Sequence, residues 1–134
     1  MQLSELEQVL SRFIPQFARI EGVYVLVDDP DDLESYQRSI TKYRSSITES
    51  GAWDKRIQNF ERDLNRRFIV ADFLDDVVEE WNPQVLLLVA KVFAALVRDG
   101  LRNTFPEQAF IVEIIGDAED EPLELCVTFT RALS

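Results

Sequence analysis

Leu3, Leu6, Leu10 and Phe13, with Phe17 beyond them, recur three or four residues apart, the spacing that lines one face of an α-helix. Ser4 and Glu7 make a capping box, whose hydroxyl and carboxylate satisfy first-turn N–H groups. A helix ending near Ile14, before Pro15, is predicted. Gly22-Val23-Tyr24-Val25-Leu26-Val27 then breaks the period. This short apolar and largely β-branched run, closed by Asp28-Asp29-Pro30, reads as a strand buried on both faces. Leu33, Tyr36, Ile40, Tyr43 and Ile47 restore helical spacing from Asp31 to about Gly51, with Asp29 and Pro30 as cap and first-turn residues. Trp53, Ile57, Phe60, Leu64 and Phe68 form a further stripe, opposite Lys55, Asn59, Arg62 and Arg66. These two helices are expected to pack as a hairpin.

Val70, Phe73, Leu74, Val77, Val78 and Trp81 fit one more helical stripe, and the positions between them are Asp72, Asp75, Asp76, Glu79 and Glu80. Trp81 reads as a core plug at the end of that helix. The stretch Arg66 to Val70 has no helical period of its own and leaves strand or helix open. Asn82-Pro83 starts a helix to about Arg102, apolar nearly all round as a buried helix is. Phe110 to Ile115 and Leu123 to Thr130 read as two antiparallel strands around the loop from Gly116 to Pro122. In the second, Leu123, Leu125, Val127 and Phe129 alternate as in a half-exposed strand. With no linker-like stretch and no internal repeat, the pattern predicts one α+β domain over residues 1–134. About five helices pack on one face of a small sheet, in which the early strand joins the C-terminal hairpin.

Composition narrows the chemistry. The chain of 134 residues is 46% hydrophobic and 29% charged, with 4 Gly and 5 Pro, which excludes collagen-like, low-complexity and disordered classes. It has no histidine, so Ser-His-Asp and Cys-His catalysis are excluded, and its single cysteine leaves no disulfide and no zinc set of the usual kind. Cys126 reads as a structural thiol, since no base stands near it in sequence to activate it. Gly22, Gly51, Gly100 and Gly116 stand apart, so no phosphate-cradling loop is visible and no cofactor is expected. The N-terminal segment is acidic where a secretory signal is basic and then apolar. The most apolar run, Val85 to Val97, contains Lys91 and falls short of the ~20 residues that cross a bilayer. A cytoplasmic protein without a membrane partner is expected.

Charge supplies the functional expectation. Twenty-five acidic residues against 14 basic give a net charge of -11, which over the whole molecule repels nucleic-acid backbones. Three windows hold 15 of the 25 acidic residues: Asp28, Asp29, Asp31, Asp32 and Glu34; Asp72, Asp75, Asp76, Glu79 and Glu80; Asp117, Glu119, Asp120, Glu121 and Glu124. None contains a lysine or arginine. Residues 38–67 hold eight basic and four acidic side chains and read as the internal neutraliser of those windows. Their aromatics, Tyr36, Tyr43, Trp53 and Phe60, fall on the apolar stripes and so belong to the core rather than to a base-stacking platform.

Solvation alone explains charge on a helix face. It does not explain why lysines are absent, because like charges three or four residues apart cost a helix about 0.2–0.5 kcal/mol each. The expectation is therefore a non-catalytic protein that docks a basic protein partner. Its contacts are Asp72, Asp75, Asp76, Glu79 and Glu80 first, and Asp117, Glu119, Asp120 and Glu121 second. In size and charge alone the chain resembles the small acidic immunity proteins that neutralise cationic nuclease toxins. Two rival readings are a small acidic secretion-type chaperone that holds an unfolded apolar segment, and a metal-dependent hydrolase using the clustered aspartates. No run matches the EF-hand loop, and carboxylates on one helix face diverge, so no metal ligands are assigned.

Overall fold

The computed structural model describes residues 15–47, 51–74 and 82–133. The first predicted helix and residues 75–81 of the acidic one lie outside them, Trp81 included. The protein is a small mixed α+β domain with two antiparallel sheets.

Its first sheet begins with a strand the helical reading of the N-terminal stripe did not anticipate. β1 (Gln16–Ile20) turns through Glu21 and Gly22 into β2 (Val23–Val27), pairing Ile20 with Val23 and Gln16 with Val27. Both turn residues have positive φ, 51° and 81°, as a two-residue hairpin turn requires for its twist to match the strands. Gly22 adopts this freely; Glu21 does not, and Arg44 holds it through its carbonyl while Gln37 donates to its carboxylate at 3.1 Å. All five residues of β2 are buried, as its apolar run predicts.

Asp29 accepts the Asp31 N–H at 2.9 Å and opens a 3-10 turn (Pro30–Asp32) that leads into α1 (Leu33–Ser46). α2 (Ala52–Leu64) follows, and the chain then leaves the helical stripe. Phe68 belongs instead to a short strand, β3 (Arg67–Phe68), continued by a π-helical turn (Val70–Leu74). The next helix, α3 (Pro83–Thr104), starts where Asn82-Pro83 predicts, and the Asn82 side chain accepts the Val85 N–H at 2.9 Å. β4 (Phe110–Ile115) and β5 (Cys126–Arg131) form the expected terminal hairpin, joined through a 3-10 turn (Pro122–Glu124).

Four expectations need correction. β2 does not join the hairpin through its main chain; the second sheet has the order β3-β5-β4, with Phe68 opposite Cys126. Helices cover both faces rather than one, because β2 is apolar on both. Tyr24 and Leu26 pack with α3, Val127 and Phe129 in one core, while Val23, Val25 and Val27 pack with Ile40 of α1 and Ile57 of α2 in another. For the same reason β5 is not half-exposed: α2 crosses the face bearing Cys126, Thr128 and Thr130, and residues 125–130 are all buried. Finally, α3 is not sheathed all round, since Leu87 and Leu88 are 38% and 48% exposed.

The two sheets are joined by side chains. In a hairpin closed by two residues, the N–H and C=O groups of Tyr24 and Leu26 face away from β1. Glu61, wholly buried, accepts the Tyr24 N–H at 2.8 Å, and Asn65 accepts the Leu26 N–H at 2.8 Å while donating to the Tyr24 carbonyl at 2.9 Å. Arg67 donates to the Leu26 carbonyl at 2.9 Å. On the other side Glu61 accepts from the Thr130 hydroxyl and the Arg131 N–H, both at 3.0 Å, and pairs with the Arg131 guanidinium at 2.7 Å. Arg131 also donates to the Gly22 carbonyl and lies over the Tyr24 ring. One turn of α2 thus replaces a ladder between β2 and β5. This polar seam fixes which end of β2 lies beside which end of β5.

Candidate functional site

That registration decides where the acidic windows fall. β2 ends at Val27, β4 ends at Ile115 and β5 begins at Cys126, and β3 ties these ends together. Arg67 of β3 holds Asp28 with its guanidinium at 3.0–3.1 Å. The adjacent Phe68 N–H is accepted by the Asp72 carboxylate at 2.6 Å. The Ile69 N–H then donates to the Leu125 carbonyl at 3.0 Å, and the π-helical turn packs on the 3-10 turn that contains Glu124. One described part of each window, Asp28, Asp72 and the turn that holds Glu124, therefore meets β3 and its continuation. Spacing along the sequence gave no sign of this convergence, which depends on the two-residue β3.

Within this end the predicted contact residues have distinct local roles. Asp72 is exposed and holds its own turn together. Asp117 accepts the N–H groups of Glu119 and Asp120 at 2.8 and 3.3 Å, which shapes the hairpin loop and leaves Glu119, Asp120 and Glu121 exposed. Asp117 and Glu119 also line a 380 Å³ cleft with Pro83, Gln84 and Leu87 at the start of α3, where helical N–H groups favour negative charge. Asp75, Asp76, Glu79 and Glu80 lie outside the described residues.

Among the described residues the basic stretch neutralises little of these windows. Within the stretch Arg44 pairs with Glu21, Arg62 with Glu113 and Arg66 with Asp63. Among the described residues only Arg67 reaches a window residue, Asp28, whose side chain stays 51% exposed. Among the described residues the other window carboxylates have no ion pair. The aromatics of the stretch pack on one another: Tyr43 stacks on Phe60 with centroids 4.4 Å apart, and Trp53 lies 5.6 Å from Phe60.

Cys126 is buried at the β3 end of β5, and burial pushes its thiol above its ordinary value of 9.0, with Arg66 opposing and Glu124 adding to the rise. Among the described residues no three cysteine or carboxylate groups gather as a metal set, and no helix is long and apolar enough to cross a membrane. Sequence reasoning did not single out Arg67, the residue that joins the first window to the site. Comparison with protein families, curated proteins and solved structures returned no match to this chain.

Proposed function

We propose that this chain is a non-catalytic binding protein whose acidic end docks a basic protein partner, in the manner of an inhibitor or immunity protein that masks a cationic surface. One observation carries the reading: Asp28, Asp72 and the turn that holds Glu124, drawn from three separate acidic windows, meet around β3, and of the windows' described members only Asp28 is paired with a basic side chain. Gathering like charges raises their mutual repulsion, and an arriving array of arginines or lysines relieves it. Carboxylates held by N–H groups, as Asp72 and Asp117 are, keep their positions without losing their charge, and so remain ready for bidentate contact.

The contacts proposed are Asp72 with Asp75, Asp76, Glu79 and Glu80, which follow it in sequence, and Asp117, Glu119, Asp120 and Glu121 of the hairpin loop. Affinity capture from native lysate at low salt, followed by a salt step, tests the reading. A basic protein should elute with salt, and it should be lost when the five carboxylates from Asp72 to Glu80 are replaced by asparagine and glutamine. Those amides keep the acceptor that Phe68 needs, so the fold is retained. A partner held equally well by wild type and variant would remove this face from the account.

A further inference from the structure

Among the described residues β4 is an edge of its sheet, and its pairing with β5 shows which of its groups are unused. Ala132 N–H donates to the Ala109 carbonyl, so Ala109, Ile111, Glu113 and Ile115 exchange hydrogen bonds with β5. The N–H and C=O groups of Phe110, Val112 and Ile114 point outward, and among the described residues nothing bonds to them. The strand carries no proline or lysine of the kind that blunts an edge, and Ile111, Ile114 and Ile115 are 39%, 37% and 36% exposed. Its two ends differ in charge. Arg98 and Arg102 of α3 flank a 260 Å³ cleft with Gln108 and Phe110 at the start of β4, where Asp99 and Glu107 are also exposed, while the acidic Asp117 and Glu119 follow its end. Arg98 has no ion pair among the described residues, and Arg102 only a loose, exposed one with Asp99 at 4.0 Å.

We propose that two copies of this chain associate through β4, antiparallel about a twofold axis, with Val112 opposite Val112 of the second copy. This register matches all three outward-facing residues, Phe110 with Ile114 and Val112 with itself, for about six main-chain hydrogen bonds. It sets each Glu113 opposite an Ile111, whereas a register centred on Glu113 would oppose two carboxylates. Antiparallel pairing also carries the segment after β4 of one copy past the segment before β4 of the other. Asp117 and Glu119 of the second copy then meet the cleft of Arg98 and Arg102, and twofold symmetry repeats the contact. Charge complementarity thus selects a second copy as the occupant, because it brings Asp117 and Glu119 to the Arg98 and Arg102 cleft, against one opposed pairing of Asp117 with Glu107. The dimer competes with the cationic partner for Asp117 and Glu119, while leaving the Asp28 to Glu34 window and the Asp72 segment open to that partner. It is tested on purified chain alone, so its failure is separable from that of the docking proposal.

Sedimentation of the full chain from micromolar to near-millimolar concentration should give a dimer whose affinity falls with added salt. Val112→Pro, which removes an outward N–H and no bond to β5, should abolish it with circular dichroism unchanged. Arg98→Glu and Glu119→Lys should each weaken dimerisation about tenfold, and the two together should restore it. A monomer throughout, or a dimer indifferent to Val112→Pro, would overturn the proposal. If the proline variant does not fold, the charge exchange decides, and failure of the double variant to recover association overturns it equally.

Discussion

Glu61 shows how one side chain organises this molecule. Fully buried, it serves main-chain groups of two strands and one guanidinium at once, and each of its neighbours relies on it for a partner. Glu61→Ala should lower unfolding free energy by about 3–5 kcal/mol, read by urea denaturation, because Arg131 is then left buried and uncompensated. Asp72→Asn, which keeps the acceptor for Phe68, should change stability by less than about 0.5 kcal/mol. The seam was partly legible: Glu61 and Asn65 follow Ile57 at four-residue intervals, on the same face as Phe60 and Leu64. Polar residues inside an apolar face signal a buried polar function, but the strands they join are 37 to 70 residues away and leave no mark near them.

Cys126, read from the sequence as a structural thiol, is buried in β5. Its raised pKa means that the native state holds the thiol proton more tightly than the unfolded chain does. The associated stability is complete below the ordinary value and is lost as pH rises through the higher folded one. A thiol reagent at neutral pH should therefore react slowly with native protein and promptly in denaturant. Fast native reaction would contradict the burial of this strand.

Among the elements, helices declared themselves most clearly, because caps and periodicity are local. Asn82-Pro83 and Asp29-Pro30 start helical structure where expected. β1 was hidden because Phe17 falls in phase with the preceding stripe, although Glu21-Gly22 between apolar runs is a hairpin signal. β5 was read as half-exposed because Thr128 and Thr130 are polar, yet their hydroxyls bond to the Arg62 carbonyl and to Glu61 and so are compatible with burial. α3 carries its own test at Gly100, where an added Cβ would lie 2.6 Å from Cε2 of Phe17. In an open helix Gly→Ala gains about 1 kcal/mol. Here Gly100→Ala should instead destabilise, by about 1–3 kcal/mol in thermal or urea unfolding, since the β1 hairpin must shift away from α3.

At the scale of the whole molecule, the sequence disclosed how much charge there is and in which windows, but not their convergence. Convergence follows from antiparallel strand order and from β3, which is too short to carry a period. The acidic end unites Asp28, Asp72 and the Glu124 turn around that strand, while Arg44, Arg62, Arg66 and Arg131 serve interior or local pairs elsewhere. On the proposed reading such asymmetry would steer a cationic partner, with a field that weakens as salt shortens its range to about 8 Å at physiological ionic strength. The most direct test is the association rate between this chain and its captured basic partner as a function of ionic strength. The account predicts a steep fall in rate with salt, flattened when Asp72, Asp75, Asp76, Glu79 and Glu80 are replaced by their amides. A wild-type rate that does not change with salt would contradict it.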